Sequence, residues 1–282
     1  MFSSSYICTM SLIIEQLKKT VSFIKSIYPA EPEAGIVLGS GLGNFLTEIT
    51  VEAEIAYQDI PYFPVSTVVG HNGKMVFGTM GNKKIVAMAG RFHFYEGYTA
   101  REVAYPIQVM KWLGIKTLLL SNAAGGVNPL FKVGDLMMIT DHISLAMVNP
   151  LIGQNESILG PRFQDMSEPY SKSLLAKVRA IGASLQIPLQ EGVYYGVTGP
   201  TFETRAEYKM IHLLGADAVG MSTVQEVIVA AHLGLPVFAI SVIADLGIRE
   251  EETILTHEEV LEAANKAEPF LTAIFKQLVI AL

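Results

Sequence analysis

Cysteine is almost missing: Cys8 is the single one in 282 residues. An intrachain disulfide framework is excluded, and a reducing cytoplasm is the compartment that fits. Basic runs are absent and the formal net charge is −7, which argues against nucleic acid as a partner. Half of the chain is apolar and the mean hydropathy is +0.38, yet no uninterrupted apolar run is long enough to cross a bilayer. The most apolar region, Val227 to Ala244, is broken by His232, Gly234 and Pro236 and reads as a helix, a turn and a buried strand. There is no Gly-x-Ser-x-Gly elbow and no cysteine placed for nucleophilic catalysis. None of the histidines, at positions 71, 93, 142, 212, 232 and 257, has trustworthy metal-ligand spacing. Internal repeats, low-complexity tracts and linkers are also lacking, so one domain over 11–282 is expected. Residues 1–9 lack the basic start of a signal peptide and precede Met10. Residues 1–10 are expected to be a disordered tail or the product of an upstream start.

What is present is an alternation of helices and strands. Helices are expected at Ser11–Tyr28, Thr99–Leu113, Ser171–Leu185, Glu203–Leu214, Thr223–Leu233 and Thr256–Leu282, the last with Pro269 inside it. Strands are expected at Ala34–Leu38, Met75–Thr79, Lys84–Ala89, Thr117–Leu120, Leu136–Thr140, Gly192–Thr198, Ala216–Val219 and Val237–Ile243. Gly81-Asn82 would close a hairpin between the second and third. The pattern predicts an α/β fold with a central mixed, largely parallel sheet, able to close into a distorted barrel, flanked by helices on both sides. Residues 149–169 have no period, and a loop of that length is usually functional or lies at an interface.

Chemistry gathers where these strands end. The segment Gly90–Tyr98, GRFHFYEGY, sets an arginine, a histidine, two tyrosines and a glutamate after a buried strand. Arg91 and His93 can hold an oxyanion; a solvated loop with an Arg–Glu pair is the plainer reading. Gly39-Ser40-Gly41-Leu42-Gly43 offers backbone N–H groups and a hydroxyl, without the lysine of a phosphate-binding P-loop or the third glycine of a dinucleotide fingerprint. Asn122–Gly126 is a second backbone-rich turn. A third, Thr198–Thr204, puts Phe202 and Glu203 at a helix start, where Glu203 can also serve only the helix dipole. In a fourth, Ser222 is positioned to cap the next helix. Ala244-Asp245 closes the fifth strand end.

Taken together, GSGLG (39–43), GHNG (70–73), GRFHFYEGY (90–98), NAAGG (122–126), GPTFET (199–204), VGMSTVQEVIVA (219–230) and HEEV (257–260) resemble the trimeric class of purine nucleoside phosphorylases. The resemblance implies reversible phosphorolysis of purine (2′-deoxy)ribonucleosides to free base and (2-deoxy)ribose 1-phosphate, in purine salvage. It implies a cytoplasmic homotrimer with phosphate as co-substrate, no cofactor and no metal. Phosphate would lie among Ser40, His71, Arg91, His93, the Ala123 backbone and Ser222. The nucleoside would meet Tyr95, Asn122, Phe163 of a neighbouring copy, Tyr194, Phe202, Glu203, Val219, Met221, Asp245 and His257. His71, Glu203, Asp245 and His257 would carry the catalytic roles, and Glu96 would orient His71 or a loop neighbour.

Asp245 departs from the family's usual Thr-Asn pair at Ala244-Asp245. An ionised aspartate only accepts hydrogen bonds and suits the 6-amino group of adenine, whereas a protonated one donates to N7. Guanosine and inosine are expected as main substrates, with adenosine possible through Asp245, unless Asp245 is a lineage variant without effect. The alternatives are a 5′-methylthioadenosine phosphorylase and a non-catalytic binding protein on the same fold. His257 argues against the first because it suits a polar 5′-hydroxyl.

Overall fold

The computed structural model describes residues 11–39, 42–65, 73–248 and 257–282, with only the backbone of His257. Ser40, His71, the side chain of His257 and residues 1–10 therefore lie outside the described residues. Among the described residues nine strands run as β1 Ala34–Val37, β2 Thr50–Ala56, β3 Lys74–Met80, β4 Lys83–Ala89, β5 Thr117–Gly126, β6 Leu136–Ile143, β7 Leu189–Gly196, β8 Ala218–Gly220 and β9 Val237–Leu246. The helices are α1 Leu12–Ile27, α2 Ala100–Leu113, α3 Lys172–Leu185, α4 Arg205–Leu213, α5 Val224–His232 and α6 His257–Ile280.

These strands form one sheet in the order β2-β3-β4-β1-β5-β8-β7-β6-β9. A further β5–β9 pairing closes β5, β8, β7, β6 and β9 into a barrel-like ring. The pairings β1–β4, β1–β5, β5–β9, β6–β7 and β7–β8 are parallel; β2–β3, β3–β4, β5–β8 and β6–β9 are antiparallel. The expected mixed sheet is thus present, and so is its closure. β9 is buried from Val237 through Ala244, as a strand covered on both faces must be. Among the described residues no helix is long and apolar enough to cross a membrane.

Local chemistry sets the element ends. Thr99 caps α2 in a reciprocal box with Glu102, Glu102 N–H reaching Thr99 Oγ1 at 3.3 Å and Thr99 N–H reaching Glu102 Oε2 at 2.8 Å. The β3–β4 hairpin turns at Gly81-Asn82 as expected, with Gly81 at φ +61°. α6 runs through Pro269, and its buried Glu268 accepts from Asn44 N–H and Nδ2 at 2.6 and 2.7 Å. That bond ties the turn after β1 to the C-terminal helix.

Several expectations need correction. β2 escaped the sequence reading because it is a mostly exposed edge strand carrying Glu52 and Glu54. Asn122–Gly126 is not a turn; β5 continues through it. Its small residues allow close approach, since a Cβ on Gly125 would sit 3.1 Å from Asp245 Oδ1. Asp245 likewise lies inside β9 and not beyond its end. β7 begins earlier than expected, at Leu189, and β8 is shifted to Ala218–Gly220. The 149–169 loop forms neither helix nor strand, yet it is pinned. Arg101 donates to Ile152 O at 2.6 Å, and His232 Nε2 lies 3.2 Å from Asn155 Oδ1 and 3.0 Å from Pro161 O.

Candidate active site

The site follows from how β5 changes partners. β1 pairs with β5 only as far as Leu120, and β8 takes up the same strand from Gly125. Between them, no strand among the described residues covers that edge of β5. A sheet whose neighbours diverge in this way leaves a crevice at the strand ends. Here it is a cleft of about 110 Å³. It is lined by Gly39, Arg91, His93, Tyr95, Asn122, Ala123, Ala124, Gly125, Phe202, Glu203, Tyr208, Val219, Gly220, Met221, Ser222, Asp245 and Val260.

Arg91 follows β4 and is 1% exposed. Its Nη1 donates to Ser222 Oγ at 3.0 Å and Thr223 Oγ1 at 3.1 Å, its Nη2 to Val37 O at 3.4 Å. Nε lies 3.5 Å from Oε1 of Glu226, a fully buried carboxylate one turn into α5. Burial pushes the Glu226 carboxyl up, while Arg91 and His93 pull it back. A buried guanidinium needs such a counter-ion, so this pair fixes Arg91 at the cleft wall. His93 is held within its own loop. Glu96 Oε1 accepts from His93 N–H at 2.8 Å and sits 3.1 Å from His93 Nδ1. The loop neighbour that Glu96 orients is therefore His93. The His93 ring stacks on Tyr95 at 4.7 Å and 13°. Tyr57 supports the loop from behind through its bond to Gly90 O at 2.8 Å.

A second group of side chains is acidic and aromatic. α4 starts at Arg205, with Thr204 as its cap and Glu207 completing the box. Glu207, not Glu203, thus serves the helix start, and Glu203 is left to face the cleft. Burial raises the Glu203 carboxyl; hydrogen bonds from its own backbone and from Tyr208 oppose the rise. The Tyr208 ring passes over Gly247, where a Cβ would lie 2.1 Å from it. Gly199, at φ +65°, lets Met221 and Tyr95 converge, since a Cβ there would stand 2.4 Å from Met221 Sδ and 3.0 Å from Tyr95 Cδ1.

Of the expected site residues, Arg91, His93, Tyr95, Asn122, Ala123, Phe202, Glu203, Val219, Met221, Ser222 and Asp245 share this cleft. Tyr194 does not line it. It is fully buried behind Gly220, its hydroxyl accepting from Ser222 N–H at 3.4 Å and its pKa pushed up to about 12 by burial. Phe163 is 89% exposed on the 149–169 loop, with the Arg162 guanidinium 5.9 Å from its ring. Ser222 does not cap α5; Thr223 holds that position without a side-chain cap bond. Sequence reasoning missed Thr223, Glu226 and Tyr208. Only Glu226 left a signal, as the one charged residue in Val224–Ala231.

A family model described as the phosphorylase superfamily matches residues 33–280. Purine nucleoside phosphorylase 1 of Bacillus subtilis is 48% identical over 265 residues, spanning 94% of this chain and 98% of its own length. The chain belongs to the purine nucleoside phosphorylase family. The Bos taurus purine nucleoside phosphorylase is 44% identical over 275 residues, covering 94% of this chain and 95% of its own. Isoform 2 of the Schistosoma mansoni enzyme, solved with cytosine and ribose-1-phosphate, superposes with a TM-score of 0.91 at 42% identity. It covers 95% of this chain and 96% of its own. A second Schistosoma mansoni structure of that family, solved with adenosine, gives 0.91 at 38% identity over 95% of this chain and 98% of its own.

Proposed function

We propose that the protein catalyses the reversible phosphorolysis of purine nucleosides to free purine and ribose 1-phosphate, or the 2-deoxy sugar phosphate. The observation that carries this reading is that buried Arg91, with Ser222 and His93, opens onto the same cleft as Glu203 and Asp245. Breaking the ribosyl C–N bond builds positive charge on the sugar and negative charge on the base. Glycoside hydrolases supply a carboxylate pair for the analogous break. Here phosphate is the nucleophile, so the protein needs an anion cradle and a group that stabilises the departing purine. Arg91, Ser222 and the Ala123 backbone serve the first need, with Ser40 and His71 from outside the described residues. Glu203 accepts from N1–H and the 2-amino group of guanine, or from N1–H of hypoxanthine. Tyr95 and Met221 bracket the ribose, and the 5′-hydroxyl is assigned to His257, whose side chain lies outside the described residues. The protein acts as a homotrimer, built from one phosphorylase domain over 11–282. Its exposed Phe163 enters a neighbour's site; an 89% exposed phenylalanine on a pinned loop suits that role.

Base choice turns on Asp245, which is 5% exposed. Its carboxyl takes the 6-amino group of adenine when ionised and donates toward N7 when protonated. Guanosine and inosine are the main substrates, and adenosine is turned over as well. The test is kcat/KM for inosine, guanosine, adenosine and 5′-methylthioadenosine, with and without phosphate, in wild type and Asp245→Asn. Wild type is expected to release hypoxanthine from inosine only when phosphate is present. Asp245→Asn is expected to lower adenosine turnover relative to inosine about tenfold, the scale of one buried hydrogen bond to a charged group. Undetectable adenosine turnover in wild type, with an unchanged profile in the variant, would remove Asp245 from base choice. A clear preference for 5′-methylthioadenosine would favour that phosphorylase.

A further inference from the structure

The turn that opens α5 sets Thr223 at φ +70° and ψ −50°. Val224 N–H bonds back to Ser222 O at 2.7 Å, so Ser222-Thr223-Val224 is a γ-turn of the rare, positive-φ kind. A β-branched residue holds that conformation only where its surroundings over-determine it. Thr223 is 2% exposed. Its Oγ1 receives a hydrogen from Asn122 Nδ2 at 2.8 Å and another from Arg91 Nη1 at 3.1 Å.

Both of those nitrogens are donors only, so both lone pairs of the Thr223 oxygen are engaged. Its own hydrogen needs an acceptor. Among the described residues the oxygen within reach is Ser222 Oγ at 3.3 Å. Ser222 Oγ also receives Arg91 Nη1 at 3.0 Å. With two hydrogens arriving, the Ser222 hydroxyl is left to donate, and Ser222 lines the cleft. Asn122 is fixed in the complementary sense. Its nitrogen is held by Thr223, and its Oδ1 is buried with no hydrogen-bond partner among the described residues. An orphaned buried acceptor beside a cleft is poised for a ligand donor.

We propose that Thr223 is a positioning residue that sets the direction of hydrogen bonding across the cleft floor. By accepting from Arg91 and Asn122 and donating to Ser222, it makes Ser222 a donor toward the anion. It also makes Asn122 an acceptor toward an O–H or N–H of the nucleoside. One hydroxyl thereby holds groups of both half-sites, and the affinities for phosphate and nucleoside depend on it together. This inference rests on the phosphorolysis reading.

The test uses Thr223→Val, which keeps the shape and removes the hydroxyl, and Thr223→Ser, which keeps the hydroxyl. KM is measured for phosphate and for inosine, and Kd for inorganic phosphate alone by calorimetry. Thr223→Val is expected to raise both KM values and the phosphate Kd about tenfold, the scale of one hydrogen bond to a charged group. Thr223→Ser is expected to bring them back to within about threefold of wild type. A purely structural role would lower the melting temperature and leave both KM values alone. Thr223→Val with both KM values within twofold of wild type, or Thr223→Ser as impaired as Thr223→Val, overturns the inference. Should Thr223→Val not fold, Asn122→Leu carries the test. It is expected to weaken binding of inorganic phosphate several-fold without nucleoside present, and an unchanged Kd overturns the proposal. Wild-type protein that releases no hypoxanthine sinks the phosphorolysis reading instead; the phosphate Kd of Thr223→Val then still decides whether Thr223 positions the anion site.

Discussion

Arg91→Ala is expected to lose about 10²–10³-fold in kcat/KM for inosine at fixed phosphate, the cost of removing one preorganised charge from a transition-state cradle. It is also expected to destabilise the fold by about 3–5 kcal/mol, because Glu226 is left buried without its cation. The two losses have different origins and separate cleanly. In the proposed reaction Arg91 holds the anion, whereas Glu226, 3.5 Å behind it, acts only through Arg91. Adding Glu226→Gln to Arg91→Ala removes the orphaned charge, so stability returns while activity does not. Burial already raises the Glu226 carboxyl, and losing Arg91 removes the largest of the three influences that oppose it, the others being His93 and a backbone hydrogen bond from Thr223. A raised folded-state pKa means that the folded chain binds the proton more tightly than the unfolded one. Stability of the single variant therefore falls as pH rises above the ordinary carboxylate range and recovers as pH drops. Urea melts across that range, for the single and double variants, read this directly. A single variant as stable as wild type, or a double variant no more stable than the single, would show that Glu226 is not Arg91's counter-ion.

The second large effect belongs to Glu203. Glu203→Ala is expected to reduce kcat/KM for inosine and guanosine about 10²–10³-fold. A site built to accept substrate N–H groups loses that much discrimination when its acceptor is removed. Adenosine lacks the N1–H and is expected to lose far less. The same carboxylate sets an acid limb. Burial raises its pKa above 4.5, and its ionised form is the much stronger acceptor for N1–H. Inosine turnover should thus fall away at a higher pH than an ordinary glutamate would give. Tyr208 opposes the rise, so Tyr208→Phe moves the limb further up. The pH profile of kcat/KM for inosine in the two proteins decides. A limb that stays put or moves down in Tyr208→Phe means that another group titrates there.

Much of this site was legible as sequence because its residues sit next to glycines at strand ends. Arg91, His93 and Tyr95 follow Gly90, and Glu203 follows a Gly-Pro turn. Such clusters stand out against apolar strands, and their order along the chain carries the family resemblance. The residues that support them did not stand out. Tyr57 and Glu226 reach the GRFHFYEGY loop from distant elements, and Tyr208 reads in sequence as one more face of a helix. Thr223 reads as an ordinary helix start; its positive φ and its place between Arg91 and Asn122 arise from contacts about 100 and 130 residues away in the chain. The hydrogen-bond direction at the cleft floor has no counterpart in any local pattern.

The extent of β5 makes the same point for the fold. Asn122-Ala123-Ala124-Gly125-Gly126 has the composition of a turn, and by local propensity it is one. It becomes strand because β9 pairs along it and β8 joins at Gly125 and Gly126. By itself the sequence determined the alternation of helices and strands, the apolar runs that bury the sheet, and the identity of most side chains that face the cleft. Those features depend on residue type and short-range spacing. The ring closure through β5–β9, the crevice left where β5 passes from β1 to β8, and the seating of Arg91 against Glu226 and Thr223 were decided only by the tertiary structure. Each requires groups far apart in the chain to meet, and nothing in local propensity encodes a meeting of that kind.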